Sequence, residues 1–78
     1  MNKKRAPSEI ALEVAALWPK VAPSARPYLD AMGTLSKVTD TYYLDSGREI
    51  ILRFLCNATS WRGPDARRIK QELKELLS

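Results

Sequence analysis

Four cations in the last third of the chain, Arg62, Arg67, Lys70 and Lys74, have the types and spacing to meet an anionic ligand. If residues 64–77 are helical, Arg67, Lys70 and Lys74 recur at i, i+3 and i+7 and line one flank, with Arg62 just ahead of the first turn. Such a flank neutralises phosphates by counterion release or faces an acidic protein. The competing account is an ordinary solvated surface, since Asp65, Arg68, Glu72 and Glu75 occupy the rest of the helix exterior, and that account carries more weight. The helix start at residue 64 offers unpaired N–H groups near Arg62 and Arg67 or Arg68, the outline of an anion pocket. Asp65 already complements the positive helix end there and repels phosphate.

The remaining candidates are weaker. Lys3, Lys4 and Arg5 form a basic run shorter than nucleic-acid patches usually show. Trp61-Arg62 alone interleaves an aromatic with a base, so Trp18 and Trp61 read as core anchors before stacking platforms. Cys56 reads as a small buried hydrophobe, with no neighbouring base to activate it. Asn57-Ala58-Thr59 matches a glycosylation acceptor but reads better as a helix end. Asp40 and Asp45 read as solvated loop acids.

Composition narrows the chemistry further. The 78 residues contain no His and one Cys, which removes Ser-His, Cys-His and His-metal mechanisms and an intrachain disulfide. The expectation is therefore a protein that is not an enzyme and holds no metal or cofactor. The single Cys favours a reducing compartment. Glu9 and Glu13 break any apolar signal segment behind Lys3, Lys4 and Arg5, so the sequence predicts a cytoplasmic chain with no membrane partner. The formal charge is +4, but its distribution matters more. Residues 1–5 contribute +3, residues 6–47 contribute −2, and residues 48–78 carry seven bases against four acids.

The elements that must position these groups follow from periodicity. Residues 1–7 read as a flexible basic tail and 8–78 as one domain. Ser8 stands where an N-cap belongs, Glu9 in the first turn, and Ile10, Ala11, Val14, Leu17 and Trp18 share a face, predicting a helix over 8–18 that Pro19 ends. A second helix over 24–33 takes Ser24 as its cap, Pro27 in its first turn and Gly33 as a left-handed stop. Leu35 and Val38 are expected to pack from the segment that follows. Residues 41–57 fit two patterns. One is a hairpin turning at Asp45-Ser46-Gly47; the other is a helix over 46–58 opened by the capping box Ser46-Gly47-Arg48-Glu49. The helix divides apolar from polar residues more cleanly. A helix over 64–77 begins at Pro64, buries Ala66, Ile69, Leu73, Leu76 and Leu77, and pairs Arg68 with Glu72 at i, i+4.

The predicted fold is all-α, a single small domain of four to five short helices; the alternative is α+β with a hairpin at 41–56. The predicted core is Ile10, Val14, Leu17, Trp18, Leu29, Met32, Ile51, Phe54, Leu55, Trp61, Ile69, Leu73 and Leu76. The connection between the last two helices is too long for a helix-turn-helix. The functional expectation is a non-catalytic interaction module that binds a protein partner or forms a homodimer. The alternative is a weak, salt-sensitive nucleic-acid binder using Arg62, Arg67, Lys70 and Lys74.

Overall fold

The computed structural model describes residues 5–37, 39–42 and 45–77, with Tyr42 described through its backbone. Its helices are α1 (Pro7–Leu17), α2 (Arg26–Met32), α3 (Gly47–Asn57) and α4 (Pro64–Leu77). A minimal antiparallel pair, β1 (Thr41–Tyr42) and β2 (Asp45–Ser46), precedes α3, with Thr41 opposite Ser46 and Tyr42 opposite Asp45. The domain is all-helical in its packing, and the hairpin alternative over 41–56 is overturned. Pairing stops at Ser46 because its hydroxyl accepts the Glu49 N–H at 3.2 Å and caps α3. From there Ile50, Ile51, Phe54 and Ala58 bury one face of a helix. The expected packing of Val38, and Lys3 and Lys4 of the basic run, lie outside the described residues.

The helices pack in a ring, each against its neighbours in the order α1, α2, α3, α4 and back to α1. The apolar stripes point inward, and the described core contains no buried polar or charged side chain. Trp18 and Trp61, both buried, stack at 5.3 Å between ring centroids and 5° between planes. Phe54 meets Trp18 edge-on at 6.3 Å. Eleven of the thirteen predicted core residues are buried. Leu55 is only partly buried. Leu17 is 38% exposed, because Trp18 leaves helical geometry (φ −121°, ψ 77°) and its larger ring fills the inward position at that end. Ala11, Ala25, Ala31, Ile50, Ala58 and Ala66 complete the core, along with the expected Leu35.

Several helix ends differ from expectation. The cap of α1 is Ala6, not Ser8. Pro7 occupies the first helical position, where a missing N–H is harmless, and Glu9 reaches back to accept the Ala6 N–H at 2.8 Å. The Ser8 N–H instead donates to Leu35 O at 3.0 Å, tying α1 to the turn after α2. Packed structure thus reaches back to Arg5 and to the buried Pro7, ahead of the expected boundary at residue 8. α2 starts at Arg26 behind Ala25, not behind Ser24. Gly33 has φ −62° and continues the right-handed turn, so no left-handed stop exists there. The chain leaves α2 through short bonds, Thr34 N–H to Ala31 O and Leu35 N–H to Met32 O.

The left-handed glycine is Gly63, with φ 112°. It reverses the chain between buried Trp61 and Pro64, the first residue of α4. Open space surrounds the position of an added Cβ, so conformation alone makes a side chain costly. Gly63→Ala should lower stability by about 1 kcal/mol or more. In urea unfolding, the midpoint is expected to fall with an unchanged slope.

Candidate functional site

The four predicted site cations lie on the side of α4 that borders α3 and the α3–α4 turn. Lys70 Nζ donates to Trp61 O at 2.6 Å, which sets the ammonium beside Arg62. Partial burial, then the proximity of Lys74 and Arg62, hold the Lys70 ammonium below its ordinary pKa of 10.5. Lys74 follows one turn along, and Arg67, exposed, lies on the same flank one turn before Lys70. Arg48, at the start of α3, donates to Leu77 O at the far end of α4, where a cation complements the negative helix end. Arg53 is occupied by Glu49 at 3.3 Å.

Two of the acids expected to interrupt this flank, Glu72 and Asp65, are held away from it by Arg5 and Arg68. Glu72 is on the α1 side of α4, gripped by Arg5 through Nε to Oε2 at 2.7 Å and Nη2 to Oε1 at 2.6 Å. Arg68 turns to Glu13 of α1 at 2.7 Å and reaches Asp65 at 3.7 Å. The expected Arg68–Glu72 pair within α4 is therefore replaced by pairs that cross between α1, α4 and the chain before α1. Tertiary partners outcompete it because α1 brings Glu13 to the Arg68 side chain while Arg5 covers Glu72. Glu13 Oε1 also lies 2.7 Å from Arg5 Nη2, as an ion pair without hydrogen-bond alignment. Among the described residues, the ion pairs involve Arg5, Arg26, Arg53 and Arg68; Arg62, Arg67, Lys70 and Lys74 take no part in them. The expected anion pocket at the start of α4 loses Arg68 to this network.

Sequence reasoning missed a second surface. α1 carries polar side chains only at Ser8, Glu9 and Glu13, yet Leu12, Ala15, Ala16 and Leu17 face solvent. Leu12 is 74% exposed. It stands beside an open groove of about 310 Å³ between α1 and α2, floored by Ala11, Ala15 and Leu29 and edged by Ser8, Arg26, Asp30 and Gly33. Arg26 and Asp30 face each other across one turn at 3.7 Å, so the rim carries both signs of charge. The sequence signal was present: α1 is apolar around most of its circumference, more than one packed face requires.

Other expectations resolve individually. Cys56 is exposed, correcting the buried reading; it sits across the helix from Phe54 and one turn from exposed Leu52. Asp40 is a turn acid, its Oδ2 accepting the N–H groups of Ser36 and Lys37 at 3.0 and 3.1 Å. Among the described residues, no three metal-ligating side chains converge. No described helix is long and apolar enough to cross a membrane. No family model, curated protein or solved structure matches the chain.

The α1–α4 network makes a pH prediction. Arg68 foremost, then Arg5, holds the Glu13 carboxyl below its ordinary 4.5. Arg5 does the same for Glu72. A carboxyl depressed in the folded state adds stability that is complete above its unfolded pKa and is lost as pH falls through its folded pKa. The thermal midpoint should therefore hold level down to about pH 5 and decline below about pH 4.5. Arg5→Met should lower the midpoint at neutral pH and converge with the parent near pH 2. An offset of the same size at every pH would mean that Arg5 acts through packing.

Proposed function

We propose that this protein is a small non-catalytic interaction module whose binding face is the α1–α2 groove and whose occupant is the same face of a second copy. The observation that carries the reading is Leu12, a large apolar side chain three-quarters exposed beside an open apolar groove. Exposing it costs hydration free energy, which association recovers.

A second copy suits the surface because one patch holds both halves of a contact. Leu12 is the projection, and the groove floored by Ala11, Ala15 and Leu29 is the socket. A two-fold axis places each projection in the opposite socket, as isologous interfaces require. The rim supports the same symmetry. Arg26 of one copy can face Asp30 of the other, exchanging an exposed pair within α2 for pairs across the interface. Small residues at Ala11, Ala15 and Gly33 permit close helix approach. The patch is limited in extent, so the association expected of it is weak and concentration-dependent.

Sedimentation equilibrium from micromolar to millimolar protein should show reversible dimerisation. Leu12→Ser should abolish it with little loss of monomer stability, since Leu12 lies outside the core. Leu52→Ser, at another exposed leucine on α3, should leave it intact. A strict monomer throughout, or equal effects of the two substitutions, would refute the self-association reading.

A further inference from the structure

We infer that the α3-side flank of α4 is a docking surface for the phosphate backbone of double-stranded DNA. α4 distributes its charges unevenly around its exposed surface. Three of its cations, Arg67, Lys70 and Lys74, fall on the flank away from α1. Glu72 falls on the flank facing α1 and is consumed there by Arg5, while Asp65 pairs with Arg68. The ion pairs of Glu72 and Asp65 thus lie away from the flank that carries Arg67, Lys70 and Lys74. On that flank, Arg62, Arg67, Lys70 and Lys74 lie in one field, extended by Arg48 at the C-terminal end of α4. Mutual repulsion there is a standing cost that a polyanion relieves.

The geometry selects the kind of polyanion. Lys70 uses one donor on Trp61 O, which fixes its ammonium in place and leaves two donors for a ligand. Arg67 and Lys74 are seven residues apart, about 10 Å along the helix, a reach that covers several successive phosphates of one strand. Trp61, the aromatic beside the flank, is 6% exposed and stacked on Trp18, so no platform is available for the bases of a single strand. A helix flank fits against the major groove of B-form DNA, whereas the deep, narrow major groove of A-form RNA excludes it. Contacts of this type read phosphate positions, and binding should be tolerant of sequence.

The inference does not rest on the α1–α2 reading, since the ring of helices puts that groove on the opposite edge of the domain. The test is fluorescence anisotropy of a short labelled DNA duplex titrated with the full chain. Four phosphate contacts predict a slope of about −3.6 in log affinity against log salt, about a hundredfold loss between 50 and 200 mM. Arg67→Glu combined with Lys74→Glu should weaken binding at low salt by about tenfold or more. Lys20→Glu combined with Lys37→Glu makes the same change in net charge at exposed sites outside α4 and the turn that leads into it, and should leave affinity within about threefold. Circular dichroism confirms that each variant folds. No binding at low salt, or equal losses in the two variants, would overturn the proposal. So would equal affinity for an A-form RNA duplex, or tighter binding of polyglutamate than of DNA at matched charge.

Discussion

The Trp18–Trp61 stack is the contact on which the rest of this domain depends. It joins the C-terminal end of α1 to the turn between α3 and α4, two segments more than forty residues apart in sequence. Near-parallel rings at 5.3 Å bury large apolar surfaces and close the ring of helices, with Phe54 sealing one edge. In a chain this short the core is small, and two indoles are a large part of it. Trp61 also connects interior to exterior. Its ring is in the core, its carbonyl receives Lys70, and its neighbour Arg62 is turned to solvent. The position of the basic flank is thus inherited from a core contact.

Charge is arranged around that frame unevenly. On the α1 side of α4, four residues from three segments, Arg5, Glu13, Arg68 and Glu72, compensate one another. These groups are part-exposed, so their value lies less in stability than in orientation. They hold Glu72 and Arg68 on the α1 side and leave Arg67, Lys70 and Lys74 on the other. The groove between α1 and α2 lies on the opposite edge of the ring and is apolar, with Leu12 and small side chains where α1 meets solvent. The two proposed surfaces therefore differ in chemistry: one recovers hydrophobic area and the other discharges repulsion.

Much of the fold was legible because local signals agreed with tertiary need. Ser46 and Glu49 marked the start of α3, Pro64 and Asp65 the start of α4, and the apolar stripe from Ala66 to Leu76 its buried face. The errors have local causes. Ser8 looked like a cap, but Pro7 with Glu9 reaching back to Ala6 makes a better one a residue earlier. Gly33 looked like a left-handed stop, yet short bonds from Thr34 and Leu35 end α2 without one. Arg68 and Glu72 have the spacing of a helical pair, and only the approach of Arg5 and Glu13 redirects them. For the site, the grouping of Arg62, Arg67, Lys70 and Lys74 could be read from spacing, but the capture of Glu72 by Arg5 on the opposite flank could not. The α1–α2 groove was hidden because periodicity identifies apolar faces without saying which are covered.

The most direct test of the central contact is a double-mutant cycle in urea with Trp18→Leu, Trp61→Leu and the pair. Leucine keeps an apolar side chain while removing the stacked rings. If the stack couples the two segments, the losses should be non-additive, with an interaction energy of about 1 kcal/mol. Losses that add to within about 0.3 kcal/mol would show that the two indoles stabilise the domain independently, and would contradict the account.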